Sequence, residues 1–484
     1  MHSIQTGREK DMAKKPKGRT LSEFGSLTKG EKKLLEACAE GRTATLGDKR
    51  PAEKSDTNTV RAEFIRFLAL GGDDAAPVHE RGVQLQGAWI EGVLDLAGAT
   101  ATASLGVIHS HFISIPVFDG ARIKGTLDLS GSSVPGMTAN DLRCRGNVNL
   151  THSFTSTGDI QLLGARISGD LNCEGAKLDG KDGDALSADS ITVRGTFFFR
   201  DMLFPVHGIR LPSAKVSQLA DDAVSWGDRL ILDGFVYDHL AGDDSPTDAP
   251  TRLVWLRKQD KEHLSGQGFR PQPWKHLQKA LRGMGHIEDA RQVAIALEDH
   301  LRAVDLIGQT PLHWRPWRRV AHHHIAQSLH LAFKALIGYG YRPLRLGAWM
   351  LAVWLACAGL YWAAALLGVM APSHPLVFQN MPAYQSCTPN WYLCPALPEE
   401  YTGFSPLAYS LDVLLPFVNL QQEQDWAPLI PTPLEPWYSE LFTHWSFKHV
   451  VRLAMWLEIL FGWVASLLLV AVVSGLTKRQ DDPE

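Results

Sequence analysis

The chain has 484 residues with a formal net charge of −4, and 45% of its residues are hydrophobic. This length exceeds one typical domain, and the slightly acidic balance argues against nucleic acid as a partner. Residues 1–20 are basic and contain no apolar stretch. We expect them to form a disordered tail and not a cleaved signal peptide, and Met12 is an alternative start to Met1.

Two helix signals follow in residues 21–79. Thr28 and Glu31 have the spacing of a capping box, which is typical of a helix N-terminus. Residues 59–70 carry apolar side chains at helical spacing, and the pattern stops at Gly71. The sequence therefore predicts a helical N-terminal cap over residues 21–79.

Residues 80–240 repeat a loose pattern in which a glycine precedes apolar residues two positions apart. One coil of such a pattern cannot bury its own apolar face, so we expect the copies to stack into a parallel β-helix, or solenoid. Residues 229–237 are the expected last rung. The first two aligned glycines, Gly92 and Gly125, are further apart than the later ones, which predicts a degenerate step around residues 111–115. The inner glycines align as Gly92, Gly125, Gly146, Gly169 and Gly195, and the interior pairs are Leu94/Leu96, Leu127/Leu129, Val148/Leu150, Leu171/Cys173 and Phe197/Phe199.

This stretch resembles the pentapeptide-repeat-like solenoids of bacterial proteins. The five-residue periodicity of true pentapeptide repeats is not kept, so the sequence does not predict a four-sided coil. Charged residues alternate with the interior positions and form either a solvated face, which is the favoured interpretation, or a face for a cytoplasmic protein or ligand that the sequence does not identify. They include Arg122, Lys124, Arg143, Arg145, Arg166 and Arg194.

Residues 250–340 are expected to be a helical linker. Residues 273–303 form two amphipathic segments joined at Gly283–His286, and this pair resembles a tetratricopeptide-type helix pair. We expect this pair to cap the open end of the solenoid and to support the membrane part. The His322–His324 triplet does not predict a metal site, because consecutive helical residues point about 100° apart.

Two long apolar runs predict transmembrane helices over residues 345–371 and 452–477. Residues 373–447, which lie between them, contain no lysine and no arginine, whereas basic residues flank both runs on the other side. Basic residues are retained in the cytoplasm. We therefore expect a two-span protein of the bacterial inner membrane, with residues 372–449 outside and both the N-terminus and the tail at 478–484 in the cytoplasm.

The outside segment contains Cys387 and Cys394, seven positions apart and next to prolines. In an oxidising compartment this spacing favours a disulfide, with two unpaired thiols as the alternative. A metal site is disfavoured because these two cysteines and the distant His374 do not supply a tetrahedral ligand set.

The same segment contains a short apolar helix signal at residues 406–415. Ser405 can cap this helix, Pro406 fits its first position, and Pro416 ends it. Ten residues span about 15 Å as a helix, which is half of the bilayer. The sequence thus predicts a re-entrant or interfacial half-helix.

The order of outer helix, half-helix and inner helix resembles that of the two-transmembrane pore-loop channels. That resemblance implies a homo-oligomeric pore that is permeable to cations, but the potassium-filter signature is absent and LLPFVNL stands in its place. Asp412 and Glu458 are ionisable groups that we expect near membrane depth. Their position slightly favours a functional role. The alternative is a pair of interfacial side chains whose carboxylates snorkel to the membrane surface. The pore-lining candidates are Asp412, Leu415, Pro416, Phe417, Asn419, Glu458 and Gly462.

The sequence contains no recognisable catalytic, dinucleotide-binding or phosphate-binding motif. We expect no enzymatic activity and no cofactor. The predicted architecture is multi-domain α+β: a β-helix that senses or docks a partner, a helical linker and a membrane hairpin with the lipid bilayer as its surroundings. The alternative is a non-conducting, membrane-anchored scaffold.

The orientation of the hairpin can be tested with a reporter that is active only in the cytoplasm. Because the basic residues flank the two runs on one side, the reporter should be active when fused at residue 484 and inactive when fused at residue 430. Activity of the fusion at 430 would overturn the predicted orientation.

Overall fold

A computed structural model describes residues 20–181, 183–242, 245–379, 381–397, 401–429 and 446–474. The chain divides into two compact units, Met1–Leu306 and Ile307–Glu484. The expected tails at 1–20 and 478–484 lie almost entirely outside the described residues.

The first unit contains six of the described α-helices and nearly all of the strands, whereas the second is mainly helical. Short 3₁₀ segments occur at Leu21–Phe24, Gly266–Gly268 and Met381–Cys387. The α-helices are α1 (Lys29–Glu40), α2 (Ala62–Ala69), α3 (Ala249–Arg257), α4 (Lys261–Leu264), α5 (Gln272–Gly283), α6 (Ile287–Ala303), α7 (Pro316–Ile337), α8 (Leu344–Leu366), α9 (Pro375–Gln379), α10 (Pro406–Leu414), α11 (Gln422–Asp425) and α12 (Phe447–Val473).

Most strands are only two residues long and pair in parallel. In chain order they are β1 (Ala44–Thr45), β2 (Thr59–Arg61), β3 (Gly72–Asp73), β4 (Ala76–Pro77), β5 (Val83–Gln86), β6 (Trp89–Glu91), β7 (Thr100–Ala101), β8 (Leu105–Ile108), β9 (His111–Phe112), β10 (Arg122–Ile123), β11 (Leu127–Asp128), β12 (Ser133–Val134), β13 (Met137–Thr138), β14 (Arg143–Cys144), β15 (Val148–Asn149), β16 (Thr155–Ser156), β17 (Ile160–Gln161), β18 (Arg166–Ile167), β19 (Leu171–Asn172), β20 (Lys177–Leu178), β21 (Leu186–Ser187), β22 (Thr192–Phe199), β23 (Ile209–Arg210), β24 (Lys215–Asp221), β25 (Leu230–Ile231), β26 (Val236–Leu240), β27 (Met370–Pro372) and β28 (Trp426–Pro428).

These strands form a parallel β-solenoid of about 7 turns, which confirms the predicted β-helix. Four strands make one turn: β10 to β13 pair in order with β14 to β17, and β14 to β17 pair with β18 to β21. The coil is therefore four-sided, although the sequence did not predict that shape. Two-residue strands separated by tight corners are long enough to build the coil. Each strand residue forms its backbone hydrogen bonds only with the strands in the turns above and below.

The interior of the solenoid consists of the apolar residues that alternate with exposed ones. Leu127, Val148, Leu171 and Phe197 occupy one register column, and each is at most 1% exposed. Burial of a leucine-sized side chain contributes about 1.5–3 kcal/mol. The stacking of equivalent residues therefore holds successive turns together, as the repeat pattern predicted.

The alignment of the first repeat was wrong by two sides of the coil. Leu94 and Leu96 are buried, but they lie on the side of Met137, because Asp95 bridges to Val117 and Val117 bridges to Thr138. Leu105 of β8, not a residue near 111–115, stands opposite Leu127. Every side of a four-sided coil has the same sequence pattern, a turn followed by alternating buried and exposed residues. A segment from one side can therefore be aligned with a segment from another side by mistake.

The solenoid also begins earlier than the sequence analysis placed it. Strands β1 and β2, which lie within the expected helical cap, pair with β5 and β6. The capping box at Thr28 is confirmed and opens α1. Arg61 in β2 then binds the buried Glu31 through Nε at 2.7 Å, so the cap is tied to the first rung.

A buried ion pair closes the other end of this unit. The Arg252 guanidinium of α3 donates to both carboxylate oxygens of Asp221 at 2.7 Å, and both side chains are at most 1% exposed. The indole Nε1 of Trp226 donates to the same carboxylate at 2.8 Å. These bonds join the last rungs to α3, and the antiparallel pair α5 and α6 follows with Leu277, Leu281 and Val293 buried, as expected from the sequence.

Removal of one partner of this pair should destabilise the solenoid. Arg252→Met leaves Asp221 charged and buried, which costs about 3–5 kcal/mol. Urea-induced loss of the β-sheet circular dichroism signal should therefore move to clearly lower urea. The control is Arg270→Met, which removes a half-exposed ion pair with Asp233 at 3.6 Å and should cost less than about 1 kcal/mol. Equal midpoints for the two variants would contradict a structural role for the buried pair.

In the second unit, α8 and α12 are long and apolar enough to cross a membrane by length and composition. Their bounds differ from the expected 345–371 and 452–477. Helix α8 ends at Leu366 because Gly368 adopts a left-handed conformation (φ +68°), and β27 begins two residues later. Helix α12 begins earlier, at Phe447, where Ser446 provides a capping box.

Candidate functional site in the hairpin

The short helix α10 forms where local chemistry predicts it. Ser405 caps the helix by accepting a hydrogen bond from the Ala408 backbone N–H, and Pro406 occupies its first turn. The helix ends at Leu414, and Leu415 is extended because it precedes Pro416. A helix of nine residues is about 14 Å long.

Helix α10 lies beside the middle of both long helices. Trp354, halfway along α8, donates its Nε1–H to the carbonyl oxygen of Leu407 at 2.9 Å. Gly462 lies near the middle of α12, where a Cβ atom would come within 1.9 Å of the Leu414 carbonyl oxygen. The C-terminal end of α10 therefore touches the backbone of α12, and only glycine permits this approach.

Glu458 is the polar centre of the hairpin. The side chain is 2% exposed and accepts hydrogen bonds from the hydroxyl groups of Tyr361 on α8 at 2.6 Å and Ser410 on α10 at 2.5 Å. One carboxylate of α12 thus connects the other two helices. Burial of a carboxyl group away from water is costly unless it is hydrogen-bonded, and the two donors offset part of that cost.

Asp412 holds the chain that follows α10. It is 6% exposed, and its two carboxylate oxygens accept from the backbone N–H groups of Leu420 at 2.7 Å and Glu423 at 2.9 Å. These bonds close the segment 415–420 into a loop and cap the start of α11. Burial, together with the Asp412 charge, raises the pKa of Glu423 above its ordinary value.

The loop 415–420 is apolar yet lies on the surface of the single chain. Phe417 is 78% exposed, and its ring contacts Trp463 of α12 with the centroids 6.0 Å apart. Asn419 is also exposed, and its side-chain oxygen accepts from the Gln421 N–H. Leu415 and Pro416 are half-buried at the turn.

The pore-lining candidates thus fall into two groups. Asp412, Glu458 and Gly462 face the inside of the protomer, where they contact backbone or side chains of the same hairpin. The remaining candidates belong to the surface loop: Leu415, Pro416, Phe417 and Asn419.

A small apolar core lies beyond the ends of α8 and α12. Strands β27 and β28 pair antiparallel, and Trp426 of β28 donates to the carbonyl oxygen of Thr402. The structure joins Cys387 and Cys394 as a disulfide in this core. Burial and the neighbouring Asp425 raise the pKa of Tyr401 to about 12, so its hydroxyl stays protonated and donates to the Asp425 carbonyl oxygen.

Sequence reasoning missed the partners of Glu458. It identified this carboxylate only as an ionisable group and a pore-lining candidate, and the nearby Arg452 does not pair with it but donates to the carbonyl oxygen of Pro428 at 3.4 Å. Tyr361 and Ser410 were not singled out. The one available signal was the pair Cys357 and Tyr361, which places two polar groups on one face of an otherwise apolar helix.

Within the described residues, no group of three or more histidine, cysteine, aspartate or glutamate side chains is arranged to hold a metal ion. Comparisons with protein-family models, curated proteins and solved structures give no significant match. The resemblances to pentapeptide-repeat solenoids, tetratricopeptide pairs and pore-loop channels therefore rest on sequence patterns alone.

Because α10 and α12 approach closely at Gly462, the addition of one methyl group at this position should destabilise the hairpin. Gly462→Ala should push α10 away from α12 and separate Ser410 from Glu458, at a cost of about 1–3 kcal/mol for overpacking. Thermal unfolding of the detergent-solubilised protein should occur at a lower temperature. The matched control is Gly359→Ala in α8, where a Cβ atom meets nothing within 4 Å. If the two variants unfold at the same temperature, α10 does not pack against α12 as described.

Proposed function

We propose that this chain is an integral membrane protein in which the β-solenoid is a cytoplasmic sensing or docking module for a homo-oligomeric, pore-like membrane hairpin. In each protomer, α10 is a re-entrant helix and the loop 415–420 lines a central constriction. The observation that carries the proposal is the placement of α10 beside the middle of α8 and α12, held there by Glu458 and Gly462.

Insertion of a half-helix into a membrane needs internal partners for its polar groups, since the hydrocarbon supplies none. Such partners are present for the carbonyl of Leu407 and the hydroxyl of Ser410, and Asp412 accepts from the backbone of the loop that follows. These contacts favour a re-entrant over an interfacial helix.

The exposed loop favours an oligomer. Phe417 and its neighbours at 418 and 420 form an apolar surface at the end of α10, where the chain turns back. Around a symmetry axis, copies of this loop would meet one another and narrow the path between them. Because Asp412 and Glu458 are engaged within the protomer, cation preference would arise from backbone carbonyl groups of the loop more than from these carboxylates.

The hydrogen bonds of Asp412 and Glu458 within the hairpin also favour a second candidate function, a non-conducting scaffold. If Asp412 and Glu458 serve only to hold α10 in place, the hairpin is a rigid anchor and the solenoid presents a partner-binding face. Arg122, Arg143 and Arg166 stand in register on consecutive turns and are exposed, so such a partner would be acidic.

Conduction can be tested with Phe417→Ala. If the loop forms the constriction, removal of this ring should widen it and raise the cation flux through proteoliposomes or the single-channel conductance in a planar bilayer. The contact that is lost is mainly that with Trp463, so the hairpin itself should stay folded.

The control is Leu355→Ala, which removes an apolar side chain of α8 that is about half exposed (51%) and should leave the flux unchanged. A second readout is oxidative cross-linking of Val418→Cys, because loops that meet at an axis bring this position together between copies. If wild type and both alanine variants leave liposomes equally impermeable and no cross-link forms, the pore is excluded and the scaffold function remains.

A further inference from the structure

Helix α7 precedes the first membrane-spanning helix and carries an unusual charge distribution. Residues 306–398 contain no aspartate and no glutamate. Over the same stretch every arginine and lysine lies at or before position 345, in α7 or beside it: Arg315, Arg318, Arg319, Lys334, Arg342 and Arg345. The helix therefore presents positive charge without a compensating acidic residue in its own segment.

One face of α7 is covered by its own unit. Gln327 donates to the carbonyl oxygen of Ile307, and a Cβ atom at Gly308 would meet Ala326 at 2.8 Å. At the C-terminal end, Ile337 is buried against Leu346 of α8. These contacts fix α7 at the end of the hairpin where α8 begins and α12 ends.

The opposite face of α7 is apolar and exposed. Trp317, Val320, Ile325 and Leu331 are each more than half exposed. At 100° per residue they fall within a sector of about 140° that contains no arginine or lysine, and His324 and Ser328 also lie within this sector. Arg318 lies at the edge of this sector, with its guanidinium 5.2 Å from the centroid of the Trp317 ring.

We propose that α7 lies in the headgroup layer of the membrane and binds anionic phospholipid, with its apolar face in the acyl boundary and Arg315, Arg318 and Arg319 on lipid phosphates. An apolar face, with arginines only outside that face and no acidic residue, is the combination that interfacial helices use. The occupant is a lipid surface and not an acidic protein, because α7 runs directly into α8 and its apolar face needs a hydrocarbon environment. The proposal rests on membrane insertion of α8 and α12 in the proposed function, but not on conduction.

The charge component is tested with full-length protein in mixed micelles of phosphatidylglycerol and phosphatidylcholine in equal amounts. Native mass spectrometry counts the lipids that stay bound. Wild type should retain more phosphatidylglycerol than phosphatidylcholine. The triple variant Arg315→Gln, Arg318→Gln, Arg319→Gln should lower that ratio at least about five-fold, because each basic residue at an anionic surface contributes about that factor.

The matched control removes three exposed arginines that belong to no proposed binding face: Arg42→Gln, Arg50→Gln, Arg257→Gln. It changes the net charge by the same amount and should keep the lipid preference. If wild type shows no preference for phosphatidylglycerol, or if both triple variants lose it equally, binding at α7 is overturned.

The apolar component is tested by depth. Ser328 is exposed on the same face as Ile325, so a fluorophore on Ser328→Cys in proteoliposomes should be quenched by brominated acyl chains and protected from aqueous iodide. A fluorophore on Thr157→Cys, an exposed solenoid position, should show the reverse. The signal of protein without either substitution corrects for Cys357. If position 328 is quenched by iodide and not by bromine, α7 does not lie in the membrane surface, whatever the flux assays show.

Discussion

The second unit depends on one buried carboxylate. Glu458 lies on α12 and accepts hydrogen bonds from Tyr361 of α8 and Ser410 of α10, so a single side chain fixes the mutual position of three helices. In the membrane that we propose as the surroundings of these helices, an apolar contact gives little preference for one neighbour over another, because lipid tails are as apolar as leucine. A polar group that must find donors is therefore what specifies the arrangement, and Gly462 then permits the close approach that this arrangement requires.

The solenoid, in contrast to the hairpin, is held together by many similar contacts and not by one specific polar contact. Its turns are held by stacked apolar side chains and by a regular ladder of backbone hydrogen bonds, and one turn is nearly the same as the next. Specific polar contacts occur at its two ends. Glu31 with Arg61 ties the N-terminal cap to the first rung, and Asp221 with Arg252 ties the last rungs to the helices that follow. An edge of open strands would otherwise invite pairing with another chain.

Local sequence signals were sufficient to predict the helix caps at Thr28 and Ser405 and the interior residues of most repeats. A helix cap depends on residues within three positions, and an interior position depends on the alternation of buried and exposed residues beside it. The side of the coil on which Leu94 lies could not be read from one sequence, since all four sides share the same alternation. The candidate site was found only in part. Glu458 and Gly462 stood out as polar and small residues in an apolar run, but the partners of Glu458 are 97 and 48 positions away, and no periodicity connects them.

The dependence of α10 on α12 also determines an order of events during synthesis. The chain emerges with α8 first, then α10 and only then α12, so α10 is complete before Glu458 and Gly462 exist to receive it. Until α12 has formed, the polar groups of α10 have only the donors and acceptors of α8 and their own loop. The packing of α10 against both long helices is therefore completed only after the last helix has been made. A chain that ends before α12 lacks both the Glu458 carboxylate and the close backbone contact at Gly462, so α10 has no fixed position.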